Sequence, residues 1–330
     1  MRVRDGVIIW RRRRRGRPPT FKMTSKITDN SPPPARVCAV VVSHHPDPGF
    51  VARVHRVIPQ VGVTVIVDNG SRAASGPALQ ELSAHPAVTL VCNGSNLGIA
   101  QALNTGIRYA IERGYAWALL LDQDTEVDHA LVAALLEAHA ECPDPGRTAA
   151  VGARFRDTHD RPAAGRALAA QGKSWQEVEA VITSGTLLPL EVFAALGPFR
   201  EEFFIDYVDI EYCLRARARG FRIIETRKAL MAHTVGAPSR HPLWGRHTWT
   251  TNHSAERRYY IARNNTVLLR EYGTTKGGSW RWKSIVRSLR LCKRIAFFEQ
   301  DKWPKLMAVA EGWWDGMRGR LGPRRPKAMT

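Results

Sequence analysis

Short apolar runs alternate with helical segments in the first half of the chain, and this alternation restricts the possible folds more than any other feature. The runs at 37–43, 63–71, 87–93 and 116–124 are rich in Val, Ile, Leu and Ala and end in polar residues, so they predict buried strands. The segment 98–114 has apolar residues at helical spacing and ends at a glycine. A strand–helix repeat at this interval predicts an α/β fold with a mostly parallel sheet flanked by helices.

Polar residues follow each predicted strand at its carboxyl end. In open parallel sheets, ligands bind beyond these ends. We therefore expect the following clusters to form one composite binding site: Ser43-His44, Asp68-Asn69, Asn93-Gly94-Ser95-Asn96 and Asp122-Gln123-Asp124.

The last of these clusters places two carboxylates, Asp122 and Asp124, directly after a strand. With one residue between them they lie on the same side of an extended backbone and can share a divalent cation. Mg²⁺ and Mn²⁺ combine a few carboxylates with phosphate oxygens, so the pair predicts a phosphate-bearing substrate. Solvated loop acids give the same pattern, so the pair alone is not specific. The sequence has no P-loop motif and no G-x-G-x-x-G after its first strand.

The net charge of +19 is concentrated at the two ends of the chain. Residues 1–22 carry nine Lys and Arg against one acid, and residues 273–330 carry fourteen against four, which leaves residues 23–272 at +1. A nucleic-acid enzyme would carry its basic residues across the binding face. Basic ends on a near-neutral body fit an anionic membrane surface better.

The domain organisation and compartment follow from composition. SPPPAR at 31–36 is a stiff linker, and we expect the basic leader at 1–35 to be disordered. Five scattered cysteines without a CxxC pair favour a reducing compartment. No apolar run has the length of a membrane span. The tail at 273–330 alternates basic with bulky apolar residues and predicts an interfacial helical region; a helix packed on the preceding domain is the alternative. The tail's aromatic residues include Trp280, Trp282, Phe297 and Phe298.

Eight segments carry a resemblance to a known family. They are, in order, VVVSHHPDP, VIVDNGS, NGSNLGIAQALNTGI, LLLDQDT, TSGTLL, FFIDYVDIEYCLRARARGFRI, MAHTVG and RRYYIARNNTVLLREY. Together they resemble the family 2 glycosyltransferases of GT-A fold, in particular bacterial rhamnosyltransferases that build O-antigen and cell-wall glycans. The resemblance implies a GT-A domain at 36–272, with a nucleotide-sugar-binding half at 36–150 and an acceptor half at 151–272. It also implies an enzyme on the inner, cytoplasmic face of the membrane that acts on a lipid-linked glycan acceptor.

The resemblance implies a site for a nucleotide-diphospho-sugar, with dTDP-rhamnose as the donor and UDP-hexose or UDP-galactofuranose as the alternatives. Asp68 would accept a hydrogen bond from a uracil or thymine imide, or close an Asx turn. Asp124 and His233 would hold Mg²⁺ or Mn²⁺, although a lone histidine is also often structural. Asn104 is either part of the nucleotide pocket or a structural hydrogen-bonding residue. The other donor-binding residues implied are Ser43, His44, Asn96, Gly98, Asp122, Gln123 and Arg263. For the arginines of the RRYYIARNN segment, core-capping ion pairs are the alternative to phosphate contacts.

The resemblance places the catalytic base at Asp209, in FIDYVDIEYCLR. Inverting transfer needs one base to take the proton of the acceptor hydroxyl. Val208 stands where the family often has an acid, so Asp206 is expected to supply that charge. Acids that stabilise a helix N-terminus are the alternative interpretation. The acceptor-side residues implied are Thr183, Ser184, Gly185, Asp206 and Glu211.

Two other classes of protein remain open from the residues alone. A nucleic-acid-binding protein or metal nuclease would explain the basic ends, but the near-neutral body counts against it. A glycoside hydrolase would need two carboxylates that flank the sugar.

Overall fold

The computed structural model describes residues 2–4, 7–9, 33–157, 173–233, 239–243, 246–273 and 279–324. The chain divides into two compact units, residues 1–199 with 212–233 and residues 200–211 with 234–330. The predicted nucleotide-sugar-binding half at 36–150 lies within the first unit. The predicted tail belongs to the second unit, together with the residues that immediately precede Asp209.

The first unit contains a large mixed sheet with helices between its strands. Its strands are β1 (Arg2–Arg4), β2 (Val7–Ile9), β3 (Val37–Ser43), β4 (Val63–Asp68), β5 (Val88–Cys92), β6 (Trp117–Asp122), β7 (Glu126–Val127), β8 (Thr148–Asp157), β9 (Trp175–Glu177), β10 (Thr186–Pro189) and β11 (Arg222–His233). Its helices are α1 (Phe50–Val57), α2 (Gly76–Ser83), α3 (Ile99–Glu112), α4 (Leu131–Ala140), α5 (Leu190–Leu196) and most of α6 (Val208–Ala218). The strand order is β1-β2-β5-β4-β3-β6-β10-β8-β11-β7, and β9 also pairs with β11.

The central strands are parallel, as the strand–helix repeat predicts. β5, β4, β3 and β6 are neighbours in that order and all run parallel, whereas β10 is antiparallel to both of its neighbours. Ser43 pairs with Asp68, Asp68 with Cys92, and Val42 with Asp122. This register aligns the carboxyl ends of four strands at one edge of the sheet, so the polar clusters fall at the same edge.

The core of the first unit lies on the two faces of these strands. Every residue of β3 and β4 is buried, because each strand is a nearly continuous run of small apolar or β-branched residues that ends in one polar residue. On one face, α3 approaches closely at Gly106, where an added Cβ would lie 2.3 Å from Cγ1 of Val40. The glycine therefore permits the short distance between helix and sheet.

The basic leader does not agree with the expectation of a wholly disordered segment. β1 and β2 form an antiparallel pair, and β2 adds to the sheet in parallel beside β5. The reason is the β-branched run Val7-Ile8-Ile9, which suits an edge position on a parallel sheet. Residues 10–32 lie outside the described part of the chain.

The second unit is mainly helical. It contains the hairpin β12 (Ser239–Leu243) and β13 (Arg246–Thr250) and the helices α7 (Ala255–Tyr272), α8 (Ser279–Phe298) and α9 (Lys302–Met317). Ser254 caps the N-terminus of α7: its side chain accepts a hydrogen bond from the backbone N–H of Arg257. The predicted C-terminal helical region is thus confirmed. None of the helices in the described ranges is both long enough and apolar enough to cross a bilayer.

Glycines let α9 lie directly against α7. An added Cβ on Gly312 would lie 2.4 Å from the carbonyl oxygen of Tyr259, and one on Gly316 would lie 2.7 Å from that of Arg263. Backbone atoms cannot yield to such a contact without a shift of the whole helix.

We expect Gly312→Ala to destabilise the second unit by about 1–3 kcal/mol, although alanine is the better helix former. The control is Gly76→Ala, where the helical glycine has open space around it and alanine should stabilise by about 0.5 kcal/mol. Urea denaturation of both variants checks the contrast. Equal stability of Gly312→Ala and the parent protein would show that the helices do not need this close approach.

Candidate active site

Asp68 is the centre of the polar cluster at the carboxyl end of β4. It is buried, its Oδ1 accepts hydrogen bonds from the hydroxyls of Ser43, at 3.3 Å, and Ser71, and its Oδ2 accepts from the backbone N–H of Ser71 at 3.1 Å. The carboxylate thus closes the loop after β4, which is the turn-forming role left open by the sequence.

Asn69 joins the loops after β4 and β5. Its Oδ1 accepts hydrogen bonds from Nδ2 of Asn93 at 3.0 Å and from the N–H of Leu97 at 3.1 Å, and its Nδ2 donates to Oδ1 of Asn96 at 3.1 Å. Asn96 also accepts from the N–H of Gly98 at 3.0 Å. Asn69 is 4% exposed. The sequence placed Asn69 in the polar cluster after β4, and the structure adds that its amide joins this loop to the loop after β5.

Two glycines in these loops adopt the left-handed conformation. Gly70 has φ of 89°, and an added Cβ there would lie 2.5 Å from the backbone of Ser95. Gly98 has φ of 88° and directly precedes the first turn of α3. Glycine at both positions permits the positive φ, and at Gly70 it also allows the two loops to meet.

The D-x-D segment leaves β6 at the same edge. Asp122 is half-buried and its backbone N–H donates to the hydroxyl of Ser184 at 3.1 Å, whereas Asp124 is exposed. Between them, Gln123 accepts from the N–H of His44 at 2.7 Å and donates to its carbonyl oxygen at 3.2 Å. Gln123 therefore ties the loops after β3 and β6 together. Arg53, which the sequence did not identify, adds to this link by donating to the carbonyl oxygen of Gln123 at 2.8 Å.

The predicted acceptor loop 183–185 lies beside the D-x-D segment. The hydroxyl of Ser184 is 2.5 Å from that of Thr125, and the N–H of Gly185 donates to the carbonyl oxygen of Leu120 at 2.9 Å. Gly185 has φ of 72°, and an added Cβ would lie 2.4 Å from Sδ of Met231. Thr183 begins this loop and is half-buried. These contacts hold the backbone from which both acids project.

Two histidines belong to the same edge. The pKa of His44 is lowered, mainly by burial and secondly by the neighbouring His45. The ring centroids of the two histidines are 4.1 Å apart. A neutral imidazole at this position is suited to stacking on a base. His233 is the last residue of β11, and the preceding Ala232 pairs with Glu126, two residues beyond Asp124. Its side chain lies outside the described part. Among the described side chains, no group of three or more His, Cys, Asp and Glu could hold a metal ion.

Asn104 does not face the nucleotide edge through its amide. Its Nδ2 donates to the carbonyl oxygen of Phe199 at 2.9 Å, and its Oδ1 accepts from the N–H of the same residue at 3.0 Å. This pair of hydrogen bonds fits the structural alternative for Asn104.

In the second unit, the segment before Asp209 has an unusual backbone. Phe204, Asp206 and Tyr207 all have positive φ, between 62° and 65°. For non-glycine residues this conformation persists only when surrounding contacts hold it. Arg257 provides one such contact, with its guanidinium 2.5 Å and 3.2 Å from the two carboxylate oxygens of Asp206.

Two neighbouring residues further along α7, Arg263 and Asn264, also hold this segment. Nδ2 of Asn264 donates to the carbonyl oxygens of Phe203, Ile205 and Asp206 at 2.8–3.0 Å. Arg263 is fully buried, and its NH2 group donates to the carbonyl oxygens of residues 202 and 203. Its Nε donates to Asn264, and its NH1 group contacts the carbonyl oxygen of residue 322. This burial favours a loop-holding role for Arg263 over the predicted phosphate contact.

Asp209 and Glu211 lie in the first turn of α6, but in different surroundings. Asp209 is half-buried, and its Oδ1 accepts from the N–H of Ile210 at 2.8 Å. Glu211 is 1% exposed and accepts a hydrogen bond from the hydroxyl of Tyr272 at 3.2 Å. Glu211 is therefore placed as a structural acid, whereas Asp209 retains exposed surface.

Comparison with known proteins agrees with this architecture. Residues 59–193 match Glycosyl transferase family 2. The chain is 30% identical over 313 residues to the dTDP-rhamnosyl transferase RfbF of Shigella flexneri. This alignment covers 89% of this chain and 99% of that protein. Among solved structures, S. aureus TarS 1-349 in complex with UDP-GlcNAc is similar with a TM-score of 0.54 and 12% identity, over 84% of this chain and 80% of that one. The mannosyltransferase PcManGT of Pyrobaculum calidifontis, in complex with GDP-Man and Mn²⁺, has a TM-score of 0.52 and 16% identity over 86% of both chains.

The chain therefore belongs to glycosyl transferase family 2, and it is a glycosyltransferase of GT-A fold. The predicted fold class and family are confirmed.

Proposed function

We propose that this enzyme transfers L-rhamnose from dTDP-rhamnose, with inversion, to a lipid-linked glycan acceptor in bacterial surface polysaccharide synthesis. The observation that carries the proposal is the similarity to a dTDP-rhamnosyl transferase along 89% of the chain. The alignment of Asp68 and Asp122 at one sheet edge supports a nucleotide-sugar site there.

On the donor side, each residue has a distinct task. Asp68 accepts a hydrogen bond from the imide N–H of the thymine ring. The two hydrogen bonds that Asp68 accepts from Ser71 fix the carboxylate for that contact. Asp122 contacts the ribose or the sugar. Carboxylate and imidazole donors suit Mg²⁺ or Mn²⁺, so Asp124 and His233 would hold the ion. Such an ion neutralises the leaving diphosphate.

On the acceptor side, Asp209 takes the proton of the acceptor hydroxyl. At the same time the oxygen of that hydroxyl forms the bond to the anomeric carbon. The bond from that carbon to the diphosphate breaks on the opposite face, and the proton remains on Asp209. Asp206 does not act on the substrate in this scheme, because Arg257 holds its carboxylate; it positions the segment that leads to the base.

Donor binding by calorimetry tests the donor half of the proposal. We expect dTDP-rhamnose to bind more tightly than UDP-sugars, to require Mn²⁺ or Mg²⁺, and to lose affinity in EDTA. Asp124→Ala should raise the dissociation constant by at least about tenfold in the presence of metal. The matched control is Glu126→Ala, an exposed acid two residues away that pairs with Arg56.

A preference for UDP-galactofuranose or a UDP-hexose would leave glycosyl transfer as the proposed reaction and would change the proposed donor. Unchanged, metal-independent binding in Asp124→Ala would remove the metal role of that residue. A folded protein that binds none of these nucleotide sugars would overturn the donor site.

A further inference from the structure

In the part of the chain that the structure describes, the exposed large apolar side chains lie on two helices. Among the described residues they all lie between positions 282 and 317, on α8 and α9, whereas none lies in the ranges up to residue 273. They are Trp282, Val286, Leu289 and Phe297 on α8 and Trp303, Met307, Trp314 and Met317 on α9. Exposed apolar side chains grouped on two consecutive helices in this way mark an interaction site.

On α8 these side chains form a stripe on the side of the helix that faces away from α7 and α9. Residues 282, 286, 289 and 297, with Lys293 between the last two, are three or four positions apart and therefore share one side of the helix. Trp282 is 69% exposed and Phe297 is 72% exposed. The opposite side carries Ser284 and Ile295, which are buried, and Ile295 packs on α7 and α9. A helix that only packed on its own protein would present polar residues on the outer side.

The charge of α8 identifies what this stripe fits. The helix carries six Lys and Arg, all exposed, and no acid between Ser279 and Phe298. Arg290 and Arg294 lie next to the stripe along one side, and Lys293 lies within it. A second copy of the chain would bring the same positive charge to the contact and be repelled. Trp and Phe beside basic residues, in contrast, match the interface of an anionic bilayer.

We propose that α8 docks this enzyme on an anionic lipid bilayer. Trp282, Leu289 and Phe297 enter the boundary between headgroups and acyl chains, and Arg290 and Arg294 lie at the headgroups. The proposal does not depend on the proposed donor or acceptor, because lipid binding is measured without any transfer reaction. It gives a docking surface to an enzyme whose described helices do not span the membrane.

Sedimentation of the full chain with sucrose-loaded vesicles tests this surface. We expect binding to vesicles that contain phosphatidylglycerol with phosphatidylcholine, and little binding to phosphatidylcholine alone. Each basic residue at an anionic surface contributes about fivefold to partitioning, so Arg290→Glu/Arg294→Glu should lower the partition coefficient at least about thirtyfold. Leu289→Ser/Phe297→Ser should lower it as well, with an unchanged circular dichroism spectrum.

The matched control is Arg147→Glu/Arg217→Glu, which makes the same change in charge at exposed positions of the first unit and should retain binding. Equal loss in the control would mean that only net charge matters, and this would overturn the proposal. Full binding by both α8 variants would also overturn it and would assign lipid binding to another part of the chain. If light scattering instead shows a dimer that Leu289→Ser/Phe297→Ser dissociates, the stripe is an interface between copies and the membrane proposal fails.

Discussion

Asp209→Asn is expected to lower kcat for glycosyl transfer about a thousandfold and to leave donor affinity unchanged. A general base contributes about 10²–10⁴ to the rate, and the amide cannot accept the hydroxyl proton. The substitution keeps the size of the side chain and its ability to accept the hydrogen bond from the N–H of Ile210. The effect is therefore one of chemistry and not of folding.

The measurement is initial-rate kinetics on a saccharide acceptor, together with calorimetric binding of the donor. Glu191→Gln, a loss of an exposed carboxylate on α5, serves as the control and should not change kcat. A fall of less than tenfold in Asp209→Asn, with donor binding intact, would remove Asp209 from the role of base. A simultaneous loss of donor affinity would show a binding role.

The sequence predicted the fold and the sheet edge well because both follow from local patterns. Runs of β-branched residues give buried strands, and a parallel register then aligns their carboxyl ends without further information. The residue pattern alone therefore assigns Ser43, Asp68 and Asp122 to one edge. The same reasoning placed Asn69 in this cluster but did not predict that its amide joins two loops, because that role depends on the second loop being packed against it.

The arginines of α7 show what sequence patterns do not predict, namely whether a side chain of a motif is buried. A basic residue in a motif gives no sign of whether it faces a phosphate or the interior. Arg263 is fully buried against the carbonyl oxygens of the segment before Asp209, and this depends on packing that no local pattern contains. Glu211 is similar: it lies two residues from Asp209 on the same helix, but it is buried against Tyr272. Burial therefore separates residues that the motif presents as equivalent.

The segment before Asp209 also links stability to the proposed reaction. Its positive φ angles are held by Arg257 and Asn264 from one helix, α7. α7 in turn is held by α9 through the close approach at Gly312, and by a buried ionic cluster that involves the end of α8. We therefore expect the C-terminal helices to maintain the geometry around Asp209, the proposed base, independently of the proposed contact with lipid.

Glu299→Ala is expected to destabilise the second unit by about 3–5 kcal/mol. Glu299 is 3% exposed and lies between two buried cations. Its Oε1 accepts from the guanidinium of Arg258, and its Oε2 is 3.2 Å from Nζ of Lys305. Burial lowers the pKa of Arg258, and Glu299 opposes that shift. Without the carboxylate, both cations remain in the interior and lose the negative charge that contacts them, which destabilises the folded state.

Urea denaturation followed by tryptophan fluorescence measures the loss, since several tryptophans lie on the neighbouring helices. The control is Glu271→Ala, which breaks the ion pair between this exposed acid and the half-buried Arg200, a cation that keeps Glu202 as a second partner, and should cost at most about 1 kcal/mol. Replacing all three buried groups, as Arg258→Met/Glu299→Leu/Lys305→Met, should recover most of the stability, because no unpaired charge then remains inside. If Glu299→Ala proves no more destabilising than Glu271→Ala, water reaches the cluster and the charges are not buried as this structure places them.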